Sequence, residues 1–308
     1  MNIASIDIGT NTVILLIAEI AEGNEIIPVV NEVSAPRIGK GVVPGSEFPA
    51  GSIERLMDVL DRYYDIIESH NCSEVLVAGT AALRNASNSA VVIEKVKQRY
   101  KWDLEIIPTF REAEYSYLGA IDSLKTSKTN LVIDIGGGSS EISFGRGTDI
   151  TYNKSFPVGG VNTTEKFFTT HPPAIKDINL LTDHLDFVFE ELNDLHLQPD
   201  NVYGISGTPV TIAAILNNLH KFDELILNGF VITRTAISET IKTLMALTPG
   251  EISSKFKDIV KGREDIILSS SIILLNIMEK LRLDRLTVST KGLRYGLIAK
   301  HFAVNSQQ

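Results

Sequence analysis

The sequence predicts an α/β protein built as two similar halves. The tetrapeptide IDIG occurs at residues 6–9 and again at 133–136, each time at the end of a β-branched run and before a string of small residues. After each copy the succession of short apolar strands and amphipathic helices starts afresh, in the order strand, strand, strand, helix, strand, helix. At 308 residues the chain is also longer than one hydrophobic core usually organises.

In the first half, IASIDI, VILLIAEI, EIIPVVNEV and APRIGKGVV are β-branched runs divided by Gly, Asn and Pro, which predicts strands paired as a meander. GSIERLMDVLDRYYDIIESH sets Ile53, Leu56, Leu60, Tyr63 or Tyr64 and Ile67 on one stripe, predicting a helix that covers the sheet. EVLVAG at 74–79 reads as a short buried strand, VVIEKVKQRY as a helix, LEIIP as a strand and EAEYSYLGAIDSL as a helix. The short polar segment KTSKTN at 125–130 places the boundary near residue 124, giving domains 1–124 and 125–308.

The second half opens with TNLVIDI at 129–135, continues as strands on either side of GGGSS and near DITYNKSFPV, and turns helical after Asn162. NVYGIS at 201–206 is a strand entering another glycine turn, GTP, and the helix TIAAILNNL. EDIILSSSIILLNIMEKL is apolar enough to predict a deeply buried helix, LTVS is a last strand, and a terminal helix within 292–305 is expected to pack back on the first domain.

The 44% hydrophobic and 22% charged composition is that of a globular protein, with no apolar stretch of about 18 residues to cross a membrane. The N-terminus MNIASIDIG has no basic region leading an apolar run, so no secretory signal is predicted. A single cysteine, Cys72, excludes an internal disulfide framework and fits a reducing cytoplasm. The net charge of −9 argues against a general nucleic-acid binder, and the six histidines show no H-x-x-x-H pair of a zinc hydrolase.

In both copies of IDIG the chain soon resumes as strand, so each is a strand, tight loop, strand hairpin. Glycines and small hydroxyl residues let backbone amides approach an anion, and phosphate is the favoured ligand of Gly9, Thr10, Asn11 and Thr12 and of Gly136, Gly137, Gly138, Ser139 and Ser140. Asp7 and Asp134, at the carboxyl ends of buried strands, are placed to hold Mg²⁺ and are expected to face each other across a cleft; Glu141 adds a third carboxylate. The competing reading is plain turn chemistry with an Asp before Gly. The dinucleotide and P-loop patterns fail, because GGGSSEISFG leads into a strand and Gly39-Lys40 is followed by Gly41.

DIGTNT, GTAALR at 79–84, the Glu-Ala pair at 112–113, DIGGGSSE, SGT at 206–208 and GLRYG at 292–296 follow one another in an order that resembles the exopolyphosphatase and guanosine pentaphosphate phosphohydrolase family, within the actin, sugar-kinase and heat-shock-chaperone ATPase superfamily. The resemblance implies two ribonuclease-H-like (actin-like) α/β domains with an interdomain cleft, a Mg²⁺-assisted phosphoanhydride hydrolase, and polyphosphate or guanosine pentaphosphate as substrate. It makes Glu112 the residue that activates water, Arg84 a phosphate-facing cation, Glu141 a metal or water-orienting ligand, and Ser206, Gly207 and Thr208 a third phosphate loop. From the residues alone, the competing readings are an acid that favours a helix N-terminus for Glu112 and a surface arginine after a short helix for Arg84. Arg37, Lys40, Lys291 and Arg294, with Arg111, are candidates to line a path for a polyanion. A cytoplasmic homodimer without nucleic-acid or membrane partners completes the expectation. A small-molecule kinase and a nucleotide-dependent assembly protein of the same superfamily are the rivals.

Two departures stand out. The family's Glu-Glu-Ala-Arg is here Arg111-Glu112-Ala113-Glu114, and its GLREG is GLRYG, which puts Tyr295 where a carboxylate is usual. The chain ends at 308 without the long helical extension of larger members, so processive action on long polymers is not implied.

Overall fold

The computed structural model describes residues 1–21, 26–121 and 127–305. In chain order the elements are β1 (Asn2–Ile8), β2 (Val13–Ile20), β3 (Ile26–Ser34), α1 (Ser52–Ser69), β4 (Glu74–Gly79), α2 (Ala81–Asn85), α3 (Ser89–Tyr100), β5 (Leu104–Ile106) and α4 (Thr109–Ala120). There follow β6 (Thr129–Ile135), β7 (Ser140–Arg146), β8 (Asp149–Phe156), α5 (Gly160–Phe167), α6 (Ile175–Val188), β9 (Asn201–Ile205), α7 (Gly207–Leu216), α8 (Glu224–Leu227), β10 (Val231–Thr233), α9 (Arg234–Met245), α10 (Pro249–Phe256), α11 (Ile267–Lys280), β11 (Arg285–Val288) and α12 (Leu293–Asn305). The chain divides into two compact units: unit 1 is Met1–Gly119 with Gly292–Gln308, and unit 2 is Ala120–Lys291. The boundary expected at residue 124 falls outside the described residues.

Unit 1 is a five-stranded sheet in the order β3-β2-β1-β4-β5. β1 pairs antiparallel with β2 and parallel with β4, and β4 runs parallel to β5. Alternation along β1 explains the layering: Ala4, Ile6 and Ile8 enter a core with Leu56, Leu60 and Tyr63 of α1, whereas Ile3 meets Tyr295 and Ile298 of α12 on the opposite face. Ser5, on that second face, donates to the Arg294 carbonyl at 2.8 Å.

The run APRIGKGVV is not a strand. Arg37 and Gly41 take left-handed conformations (φ 53° and 77°), and the Gly39 amide donates to the Thr10 carbonyl at 2.9 Å. β-branched alternation suggested pairing, but Pro and two left-handed positions fold the segment as turns over the loop that follows β1.

Unit 2 repeats the plan with an added edge strand: β10-β11-β9-β6-β7-β8. β6 is antiparallel to β7 and parallel to β9, and β9 is parallel to β11. The two sheets therefore share one order, in which the strand carrying IDIG is central, its hairpin partners lie to one side and its parallel partners to the other. The core of unit 2 gathers Leu131, Ile133 and Ile142 of the sheet with Phe189, Ile212 and Ile273. The helix predicted from EDIILSSS is α11, with Ser269, Ser270 and Ser271 all buried. No helix among the described residues is long and apolar enough to cross a membrane.

Candidate active site

The two IDIG loops are the same turn. Ile8 pairs with Val13 and Ile135 with Ser140, so each hairpin is closed by four residues, Gly9–Thr12 and Gly136–Ser139. In each, the first residue's amide donates to the fourth residue's carbonyl at 2.9 Å, Gly9 to Thr12 and Gly136 to Ser139. Donors from a later segment occupy further carbonyls of each turn. In unit 1 these are Gly39 N–H to Thr10 at 2.9 Å and Arg37 N–H to Asn11 at 3.1 Å. In unit 2 the start of α5 does the same work, with Gly160 N–H to Gly136 at 2.9 Å, Val161 N–H to Gly137 at 2.8 Å and the Asn162 side-chain Nδ2 to Gly138 at 2.9 Å. With their carbonyls held, the amides of Gly137 and Gly138 have no acceptor among the described residues, which is the condition of an anion-binding nest.

In unit 1 the loops after three parallel strands meet. Ile8, Gly79 and Ile106 are in register, Thr80 N–H donates to the Ile8 carbonyl at 3.1 Å, and Ile107 N–H to the Gly79 carbonyl at 3.0 Å. Arg84, in the last turn of α2, reaches back with Nη1 to the Ile107 carbonyl at 2.9 Å and to Glu112 Oε2 at 2.5 Å. Both side chains are largely out of water, 19% and 12% exposed, so the pair is stronger than a surface ion pair and is shaped by a fixed carbonyl. Glu112 sits in the first turn of α4 behind Pro108, whose carbonyl receives the Glu112 amide at 3.1 Å. Asp7, half-buried, is one residue from the end of β1.

The departures from the family pattern are absorbed locally. Arg111 is exposed and pairs with Glu105 at 3.0 Å, and Glu114 pairs with Lys300 of α12 at 2.8 Å, so the exchanged charges find partners on either side of Glu112. Tyr295 is 3% exposed and packs with Ile3 and Leu16. It stands in the core, so a carboxylate has not been lost from a substrate-facing position.

In unit 2, Asp134 and Glu141 are directly opposed in the β6/β7 pairing, both buried, and Glu141 accepts from Ser155 Oγ at 2.5 Å. Ser140, expected among the phosphate contacts, is instead fully buried and donates to the Val158 carbonyl at 2.7 Å, because its place as the first residue of β7 turns it inward. Ser206 takes φ 68° and leads into α7, where Gly207 is half-buried and Thr208 buried. Ser289 N–H donates to the Gly204 carbonyl at 3.0 Å, so the ends of β9 and β11 adjoin as those of β1 and β4 do.

One residue escaped the sequence reading. Arg263 lies with its guanidinium on Gly207, where an added Cβ would come within 1.9 Å of the guanidinium carbon. Loss of water pushes its pKa down to about 10, which leaves it a cation at neutral pH, and it makes no ion pair among the described residues. Its only sequence signal was a Gly-Arg step in the stretch KGRED, with no spacing that ties it to the SGT turn. Of the other basic candidates, Lys40 is exposed, Arg37 and Lys291 are half-buried, and Arg294 is 7% exposed.

Paired α/β sheets with glycine turns at the carboxyl ends of their central parallel strands define a phosphate-handling enzyme of the actin-like type. The chain belongs to the Ppx/GppA phosphatase family, whose model matches residues 16–303. It is 29% identical over 96% of its length to the bifunctional 3-dehydroquinate synthase/phosphatase of Fusobacterium nucleatum, of which it spans 46%. It is 26% identical to exopolyphosphatase 2 of Mycobacterium tuberculosis, over 96% of this chain and 97% of that protein. The crystal structure of the Aquifex aeolicus Ppx/GppA family member matches 99% of both chains at 31% identity, with a TM-score of 0.82. The protein is accordingly a hydrolase of phosphoanhydride bonds.

Proposed function

We propose that the chain releases orthophosphate from the end of inorganic polyphosphate, of guanosine pentaphosphate, or of both, using water activated by Glu112. The observation that carries this reading is the Arg84–Glu112 pair, 2.5 Å apart at the mouth of three parallel strands and beside a glycine loop. A carboxylate held there by a cation that is itself fixed on the Ile107 carbonyl is pre-oriented to take a proton from water as its oxygen attacks the terminal phosphorus. The P–O bond to the bridging oxygen breaks in line, and the shortened substrate leaves with that oxygen's charge. Arg84 and the amides of the glycine loops stabilise charge on the phosphoryl oxygens, and Arg263 offers a further guanidinium beside Ser206, Gly207 and Thr208.

Mg²⁺ fits the donors present. Asp134 and Glu141 are opposed hard carboxylates in unit 2, and Asp7 holds the equivalent strand position in unit 1. No three His, Cys, Asp or Glu side chains among the described residues cluster closely enough to hold a metal by themselves. That suits an ion which keeps several waters and takes one or two carboxylates together with substrate phosphates, where it neutralises phosphate charge. The reading takes the cytoplasm as the compartment, in keeping with a single cysteine, and a homodimer as the assembly.

Phosphate release from polyphosphate, guanosine pentaphosphate and ATP, measured with Mg²⁺ for wild type and Glu112→Gln, tests this. The variant is expected to lose a factor of roughly 10² to 10⁴ in kcat. Full activity in the variant removes Glu112 from its role, and no release from any of the three substrates by wild type removes the substrate assignment.

A further inference from the structure

The helix that carries Glu112 touches α12 backbone to backbone. A Cβ on Gly296 would lie 1.8 Å from the Tyr115 carbonyl oxygen and 2.8 Å from the Tyr115 Cα, and a Cβ on Gly119 would lie 2.0 Å from the Gly292 oxygen and 2.7 Å from the Gly296 nitrogen. These neighbours are main-chain atoms, so no side chain can swing aside to make room. Glu112, Tyr115 and Gly119 are three and then four residues apart, which puts them on one face of α4. Leu293 packs beside the contact with Tyr115, Ile107 and Ala78, and the Lys300–Glu114 pair closes it further along α12. α12 is itself anchored to the sheet by the bond from Ser5 to the Arg294 carbonyl.

We infer that Gly119 and Gly296 are positioning residues for the reaction: by letting α4 sit on α12 at main-chain distance they set where Glu112 stands relative to Arg84. This rests on Glu112 being the group that activates water. Neither glycine touches substrate. Their effect is on the placement of the stripe that begins with Glu112, and a displacement of about 1 Å at a reacting group is enough to cost some 10²-fold in rate.

The test is steady-state phosphate release by Gly296→Ala, by Glu112→Gln and by the double variant, with folding followed by circular dichroism. Gly296→Ala is expected to lower kcat roughly 10- to 100-fold with KM within about twofold, because binding groups elsewhere keep their places. In the double variant the glycine change is expected to cost nothing beyond Glu112→Gln alone, since it acts through that carboxylate. An unchanged kcat in Gly296→Ala, or losses that multiply in the double variant, overturns the inference while leaving Glu112 in its role. Full activity of Glu112→Gln takes down both. If Gly296→Ala does not fold, Lys300→Gln, in a half-exposed pair on the same contact, decides: a fall of roughly threefold in kcat at constant KM supports the inference, and no change overturns it.

Discussion

Arg84 and Glu112 are 28 residues apart in sequence and share a hydrogen bond in space, which is why spacing alone left each with a bland alternative. The fold decides one of the two: Arg84 is not a surface arginine, because the Ile107 carbonyl and the Glu112 carboxylate hold its guanidinium inside, while Glu112 does stand in the first turn of α4. The glycine loops, in contrast, were legible because their chemistry is in the main chain and needs four consecutive residues. Tyr63 shows how the scaffold fastens such a loop. Its buried hydroxyl donates to the Val13 carbonyl at 2.8 Å, one residue past Thr12, and burial raises its pKa to about 12. Above pH ~10 the unfolded chain ionises this phenol while the folded chain keeps it neutral, so stability present at neutral pH is lost progressively up to about pH 12, by roughly 2–3 kcal/mol. Urea unfolding of Tyr63→Phe is expected to show about 1 kcal/mol lower stability at pH 7 and a shallower decline between pH 10 and 12. An equal decline in both proteins would assign it to other groups.

At the scale of elements, the strand and helix order was readable because apolar period changes between 2 and 3.6 along the chain. What escaped was the brace behind each loop. The segment after β3 looked like a strand, and the chain before Asn162 carried no helix signal; both segments prove to hold loop carbonyls, mostly through main-chain donors and at Gly138 through the Asn162 side chain. The main-chain bonds among these carry no side-chain signature. Gly159 makes the dependence testable, since an added Cβ would come within 2.5 Å of the Gly137 carbonyl carbon. Gly159→Ala must therefore push α5 from the Gly136–Ser139 turn, and phosphate-release assays are expected to show a loss of roughly tenfold or more in kcat/KM. Thermal melting separates this from a general loss of structure: a fall of more than about 8 °C in Tm would point to the core instead.

At the scale of the whole molecule, the repeat of IDIG marks two units that each own their apolar interior. The main core of unit 2 lies wholly within Leu131–Val288, and the cores of unit 1 lie within its two segments. A fragment spanning Ala120–Lys291 is expected to fold by itself, with a cooperative melt and dispersed amide resonances; a non-cooperative melt would show that it leans on unit 1. The terminal helix could be foreseen as returning to the first unit, but its glycines could not be assigned a partner, because Gly296 and Tyr115 are far apart in sequence and meet through main-chain atoms that leave no side-chain pattern.

The contact between Gly119 and Gly292 has a topological meaning as well. The chain leaves unit 1 at Gly119 and comes home at Gly292, and these two residues touch. The two points of unit 1 between which the segment of unit 2 is inserted are thus held together by one main-chain contact. In polymer terms the long loop is closed by packing that unit 1 needs anyway, so its closure entropy is met at a junction the first unit supplies. A graft that removes everything from 120 to 291 and joins Gly119 to Gly292 through a short turn would leave unit 1 a continuous chain running from α4 directly into α12.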